Sequence, residues 1–209
     1  MSGRKTGASG ITAAEAMALL AHDPDYQLRV AEAEAERQVR VQELRSAEQP
    51  IVAELRKAGI DVASVWDLVN TSDPYPAALP ILLNHLKRGG YPDRMMESLA
   101  SALAVKPAAY AWQTLRDLYL AARGRGEMEG LAAALAASAT PEHLDHMIAL
   151  LKEENRGDTR IHLLRAILRV GGHKGREVLS ALQSDPTFGA EARALLRKRK
   201  SRLPAKSAS

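Results

Sequence analysis

Cysteine is absent from the chain, which removes disulfides and every thiolate metal site and fits a reducing compartment. Aromatic residues are scarce at 4%, with one Phe and two Trp, so a core has to come from Leu, Ala, Val and Ile. That palette favours helices, because Ala and Leu lose little conformational freedom on entering one. Long apolar runs are missing too. The longest near the start, "AMALLA" at 16–21, stops at His22-Asp23, and "MSGRKTGASG" before it has no apolar centre of signal-peptide length. No segment approaches a membrane span. A cytoplasmic protein that avoids the membrane is the expectation.

The formal net charge of +4 conceals an asymmetry. Residues 11–73 hold 6 Lys and Arg against 12 Asp and Glu, whereas residues 156–202 hold 12 against 4. An acidic front and a basic tail could attract different partners, or each other between copies.

What the chain does have is internal repetition. Leu99, Leu131, Leu163 and Leu195 recur at a fixed step of 32 residues. Leu83, Leu115, Met147 and Leu179 follow the same step, as do Leu86, Leu118, Leu150 and Leu182. Leu103, Leu135 and Ile167 make a fourth column that ends at Arg199. Within each step the apolar spacing is helical, as in Leu79, Leu82, Leu83 and Leu86. Turn signals separate the stripes: "KRGGYPD" at 87–93, "ARGRGE" at 122–127, "EENRGD" at 153–158 and "QSDPT" at 183–187. Asp158 and Asp185 suit helix caps. Each unit is predicted to be two antiparallel helices of about 10–14 residues, a usual length. Four units tile 75–106, 107–138, 139–170 and 171–202. One pair cannot bury its own apolar faces, but stacked pairs can, so the expected class is all-α: an α-solenoid with an irregular helical N-terminal cap.

Helix pairs of this length, with "LLRAILRVGG" closing one unit and a short turn opening the next, resemble HEAT-like repeats of the phycobilin-lyase type. The resemblance covers about 75–202 and rests on core leucines. It implies a protein-binding scaffold. Some bacterial members of that family are phycobilin lyases, and one branch is an alkylpurine DNA glycosylase with a basic concave face. No residue set here maps onto either catalytic branch.

The expected organisation is a disordered tail at 1–10, a helical extension and capping pair at 11–73, the repeat array at 74–202 and a second tail at 203–209. "TAAE" at 12–15 reads as a capping box, with Ala16, Leu19 and Leu20 as the apolar side of a short helix. Asp23 and Pro24 restart a helix whose thin stripe is Tyr26, Val30, Ala33, Val41 and Leu44. It caps the first repeat or projects for docking; Arg37 spoils a coiled-coil seam. Pro50 is predicted to begin another helix that Gly59 ends. "DVASVWDLV" at 61–69 follows, with Val65, Trp66 and Val69 buried.

Candidate binding residues lie toward the C-terminus. Arg165 and Arg197 are one repeat apart; Arg169 and Arg193 flank them by one turn; Lys198, Arg199 and Lys200 extend the ridge. Such a ridge could track phosphates, or be the solvated, dipole-favoured end of each helix. Base stacking would need more aromatics than Phe188. Trp112 is a packing residue if buried and a binding anchor if exposed.

His143, His146 and His162 are the best metal candidates, although His146 stands where Leu82, Thr114 and Val178 do, an ordinary partly buried repeat position. The repeat equivalents of His162 are Ser98, Gly130 and Ala194, which places it where helices approach closely. "GGHKGRE" at 171–177 and "RGRGE" at 123–127 are turns first and phosphate sites second, since no P-loop pattern occurs. No hydrolase, zinc-protease or dinucleotide fingerprint is present, and no catalytic residue, metal or cofactor is assigned. The primary reading is a non-catalytic scaffold for a protein partner. The alternative is nucleic-acid binding through the basic ridge. The sequence leaves the oligomeric state open.

Overall fold

The computed structural model describes residues 11–200, apart from the side chains of Glu15, Ala16, Ala18, Lys198, Arg199 and Lys200. The tails expected at 1–10 and 203–209 lie outside those residues. The described chain is all-helical: its elements are α-helices and short 3₁₀ segments. No helix in it is long and apolar enough to cross a membrane.

The chain divides into two compact units between Ser46 and Ala47. In the first, α1 (Ala13–Ala21) is followed by the start of α2 (Pro24–Lys57). Asp23 caps α2 as its sequence position suggests: Oδ1 accepts from the amides of Asp25 at 2.9 Å and Tyr26 at 3.3 Å. The predicted apolar stripes are not buried. Leu19 is 65% and Val30 45% exposed, and Ala33 and Val41 are exposed as well. This stretch is held instead by local pairs such as Arg37–Glu34 and Arg40–Glu36, each worth about 0.2–0.5 kcal/mol.

Pro50 does not begin a helix; it lies inside α2. Lacking an N–H, it cannot bond the carbonyl of Ser46, four residues back. That missing bond coincides with the division between the units. The helix continues because Ile51 and Leu55, both 0% exposed, bury its last two turns.

The second unit begins with that buried end. α3 (Val65–Asn70) is capped by Ser64 in a capping box with Asp67. Glu48 of α2 reinforces it, accepting at 2.7 Å from both the Ser64 hydroxyl and the Val65 amide. Val65 is buried, while Trp66 and Val69 are half-buried.

Four helix pairs follow: α4 (Ala78–Arg88) with α5 (Asp93–Ala102), α6 (Trp112–Ala121) with α7 (Arg125–Ser138), α8 (Leu144–Leu150) with α9 (Ile161–Val170), and α10 (Gly172–Ala181) with α11 (Gly189–Lys200). The partners in each pair pack together, and α5, α7, α9 and α11 also pack in succession. Leu99, Leu131 and Leu163 are 0% exposed and Leu195 7%; Leu103, Leu135 and Ile167 are all 0%. The core therefore runs along the second helices. The first-helix columns are covered less evenly: Leu115, Met147 and Leu179 are buried, whereas Leu83, Leu118 and Leu182 are half-buried.

One helix is shorter than expected. α8 has 7 residues, because Pro141 opens a 3₁₀ turn before it and a second 3₁₀ segment, Glu154–Arg160, follows it. Asp185 caps as predicted, with Oδ1 accepting from the amides of Thr187 and Phe188 at 2.8 and 2.9 Å. Asp158 does not cap; its carboxylate pairs with Arg125. The "GGHKG" segment proves to be a turn with almost no linker, since α9 ends at Val170 and α10 starts at Gly172, whose φ is 54°.

Candidate functional site

α5, α7 and α9 pack in succession and leave two adjoining hollows along one side. The first, of about 680 Å³, is lined by residues including Lys106, Ala133, Ala137, Arg165, Arg169 and Glu191. The second, of about 580 Å³, includes Asp93, Glu97, Arg125, Glu129 and Ser101. Ala133 and His162 line both, so the hollows form one continuous groove. Its floor is low because small residues stand in the facing columns. Gly130 marks a close approach of α7 to α5: a Cβ there would meet the Glu97 carbonyl oxygen at 2.7 Å.

Charge is distributed unevenly along the groove. At one end the carboxylates are already engaged. Arg125 bridges Asp158 at 3.0 Å and Glu129 at 3.3 Å, and Glu129 reaches His162 Nε2 at 2.7 Å. The hydrogen bond from Arg125 holds the Asp158 carboxyl below its ordinary range. Glu97 is paired with Arg94, which also lies over the Trp66 ring at 4.9 Å. At the other end, Lys106 and Arg165 are exposed and make no hydrogen bond or ion pair among the described residues.

Helix α7 begins with an anion already in place. Asp93 accepts from the Gly126 amide at 2.8 Å and the Glu127 amide at 2.9 Å. A side chain of the preceding helix pair thus fills the phosphate-like position that "RGRGE" suggested. Asp93→Ala is expected to lower stability by roughly 0.5–2 kcal/mol, the usual cost of losing such a cap; an unchanged urea midpoint would refute that role.

The predicted basic ridge separates into two kinds of residue. Arg165 and Arg197 are exposed, and Arg197 makes no polar contact among the described residues. Arg169 donates to the carbonyls of Ala136 at 2.6 Å and Ala137 at 3.4 Å, and so closes the C-terminus of α7. Arg193 donates to the Gln183 carbonyl. The side chains of Lys198, Arg199 and Lys200 lie outside the described residues.

Trp112 is not a binding anchor. It is 1% exposed, and its indole donates to the Leu135 carbonyl at 3.1 Å. His143 stacks on it at 4.1 Å and 4°, and His146 tilts against it at 5.8 Å. Burial against that ring lowers the His143 pKa, and the neutral imidazole accepts the Thr140 amide at 3.1 Å. His162 is not at a tight helix approach either; it projects into the groove beside Glu129. His143 and His146 thus share the Trp112 ring, while His162 is engaged apart from them with Glu129. Among the described residues, no group of three or more His, Asp or Glu could hold a metal ion.

Sequence reasoning passed over several engaged residues. His85 is 1% exposed and bridges Tyr91 Oη at 2.7 Å and Glu54 Oε2 at 2.9 Å. It ties α2 to α4 across 31 residues, a spacing unrelated to the repeat. Arg156 donates to the carbonyls of Tyr119 and Ala122 and closes α6. Lys106 sits between columns, so the 32-residue step gave it no prominence. Comparisons with family models, with curated proteins and with solved structures find no match to this chain.

Proposed function

We propose that the chain is a non-catalytic interaction scaffold, an α-solenoid of HEAT-like repeats whose second-helix groove docks an acidic segment of a protein partner. The carrying observation is the continuous groove: a floor of Ala133, Ala136, Ala137 and Ala166, with Lys106 and Arg165 unengaged at one end. Small floor residues admit a peptide backbone closely, and unengaged cations favour carboxylates over a neutral chain. Glu191 is the opposing charge there, leaving the end positive.

Arg197 favours nucleic acid as the second reading, because the repeat step puts it beside Arg165 on the same face. Phe188 and Trp112, at 4% and 1% exposure, offer no stacking surface for bases, and that weighs toward the protein partner.

Fluorescence anisotropy separates the two. A labelled Glu-rich helical peptide and labelled single- and double-stranded DNA and RNA are titrated at about 50 and 200 mM salt. The peptide is expected to bind more tightly than any nucleic acid, and Lys106→Glu/Arg165→Glu to weaken it at least tenfold. Tighter nucleic-acid binding that is lost in Arg165→Ala/Arg197→Ala would replace the first reading with the second. Failure of every ligand at low salt would sink both.

A further inference from the structure

A cleft of about 710 Å³ lies away from the groove, lined by α8, α10 and the segments that follow them. Its size falls within the roughly 300–1,000 Å³ of small-molecule sites. Ile148, Leu151, Val178, Leu182 and Phe188 form apolar walls. Leu182 is half-buried here, as is Leu118 in the same repeat column, whereas Leu86 and Leu150 are buried. The cleft is thus a place where first-helix apolar surface is left incompletely covered.

One buried charge stands among these walls. Arg160 is 8% exposed and lies over the Phe188 ring at 5.0 Å. Its Nε donates to the Gly157 carbonyl at 2.7 Å and its Nη1 to the Leu151 carbonyl at 2.5 Å. No carboxylate among the described residues pairs with it. A buried cation without a counter-ion is costly, and neutral carbonyls offset only part of that cost. Its Nη2 has no protein partner, yet no buried side-chain polar atom among the described residues is unsatisfied. Nη2 therefore reaches accessible space, and the cleft is the cavity that Arg160 lines. The nearby acids do not supply the missing charge. The Asp185 carboxylate accepts from the backbone of Thr187 and Phe188, and Glu154 is exposed.

We propose that this cleft binds an aliphatic carboxylate, its chain against Val178, Leu182 and Phe188 and its carboxylate on Arg160 Nη2. The chemistry selects this class. Apolar walls reward a hydrocarbon chain, and one guanidinium edge matches a single negative charge. A phosphate dianion would bring a second charge into the same apolar surroundings without a second buried cation. Lys152 and Glu154, both exposed at the cleft, offset each other, which leaves the buried Arg160 as the charge that selects the ligand.

The test uses the full chain and decanoate below its micelle concentration, followed by calorimetric titration and amide NMR. Decanoate is expected to bind saturably, shifting the amide signals of Leu151, Val178 and Phe188. Decanol, with the same chain and no charge, is expected to bind at least tenfold more weakly. Ala181 lines the cleft but is exposed, so Ala181→Trp should fill it without unfolding the protein, and should also weaken decanoate at least tenfold. Arg160→Gln is expected to lose the preference for decanoate over decanol. Should that variant fail to fold, the decanol and Ala181→Trp comparisons still decide. Equal affinity for decanol and decanoate, an unaffected Ala181→Trp variant, or no saturable binding would each overturn the proposal.

Discussion

Leu163→Asp leaves the chain without a cooperative thermal transition. Leu163 is 0% exposed on α9, a helix that packs against α7, α8, α10 and α11. Removing a buried leucine side chain alone costs about 2–5 kcal/mol. An aspartate adds the desolvation of a buried charge, several kcal/mol more. The sum reaches the roughly 5–15 kcal/mol that a domain has in total. Circular dichroism through a temperature ramp reads this directly. Leu163→Ala should retain a transition at a lower midpoint, separating the lost packing from the buried charge. A wild-type melting curve for Leu163→Asp would refute the placement of this column in the core.

The second large effect opposes helix propensity. Gly175 lies inside α10, where Ala is ordinarily favoured over Gly by about 1 kcal/mol. Gly175→Ala should nonetheless destabilise. A Cβ at that position would stand 2.2 Å from the Ile167 carbonyl oxygen and 3.0 Å from its carbon, both backbone atoms of α9. Backbone cannot rotate aside as a side chain can, so α10 must move away from α9. Overpacking of this kind costs roughly 1–3 kcal/mol and sometimes more. The check is a urea denaturation midpoint that falls with an unchanged slope. Ser180→Ala, an exposed substitution on the same helix, serves as the control and should leave the midpoint equal or slightly higher. A rise for Gly175→Ala would show that α9 and α10 are held less closely than the structure has them.

The leucine columns were legible in the sequence because a second helix buries one face at a fixed step, and the step survives in Leu99, Leu131, Leu163 and Leu195. Asp23 and Asp185 were legible because a cap is a local event, decided within three residues. Pro50 misled for the opposite reason. Its local chemistry argues for a helix start, but burial of Ile51 and Leu55 sustains the helix through it. Trp112 stayed ambiguous until Leu135 supplied an acceptor 23 residues away. The arginines were the hardest to read. Arg165, Arg169 and Arg160 look alike in "RIHLLRAILR", yet one is unengaged, one closes a neighbouring helix, and one is buried against Phe188. A sequence period locates such residues; only the orientation of neighbouring elements assigns their work. Neither hollow was legible: the groove floor of Ala133, Ala136, Ala137 and Ala166 stands outside the leucine columns, and the cleft at Arg160 depends on the irregular 3₁₀ segment before α9.

The spacing of the second helices also bears on how quickly the chain can find its fold. Each contact between α5 and α7, α7 and α9, or α9 and α11 joins residues about one repeat apart. The entropy of closing a loop grows only with the logarithm of its length, so each closure carries nearly the same modest penalty. A spine built from such short-range closures has low contact order, the property that goes with fast folding. Any helix pair that forms first can serve as the template for the next, and assembly can begin at more than one point along the chain.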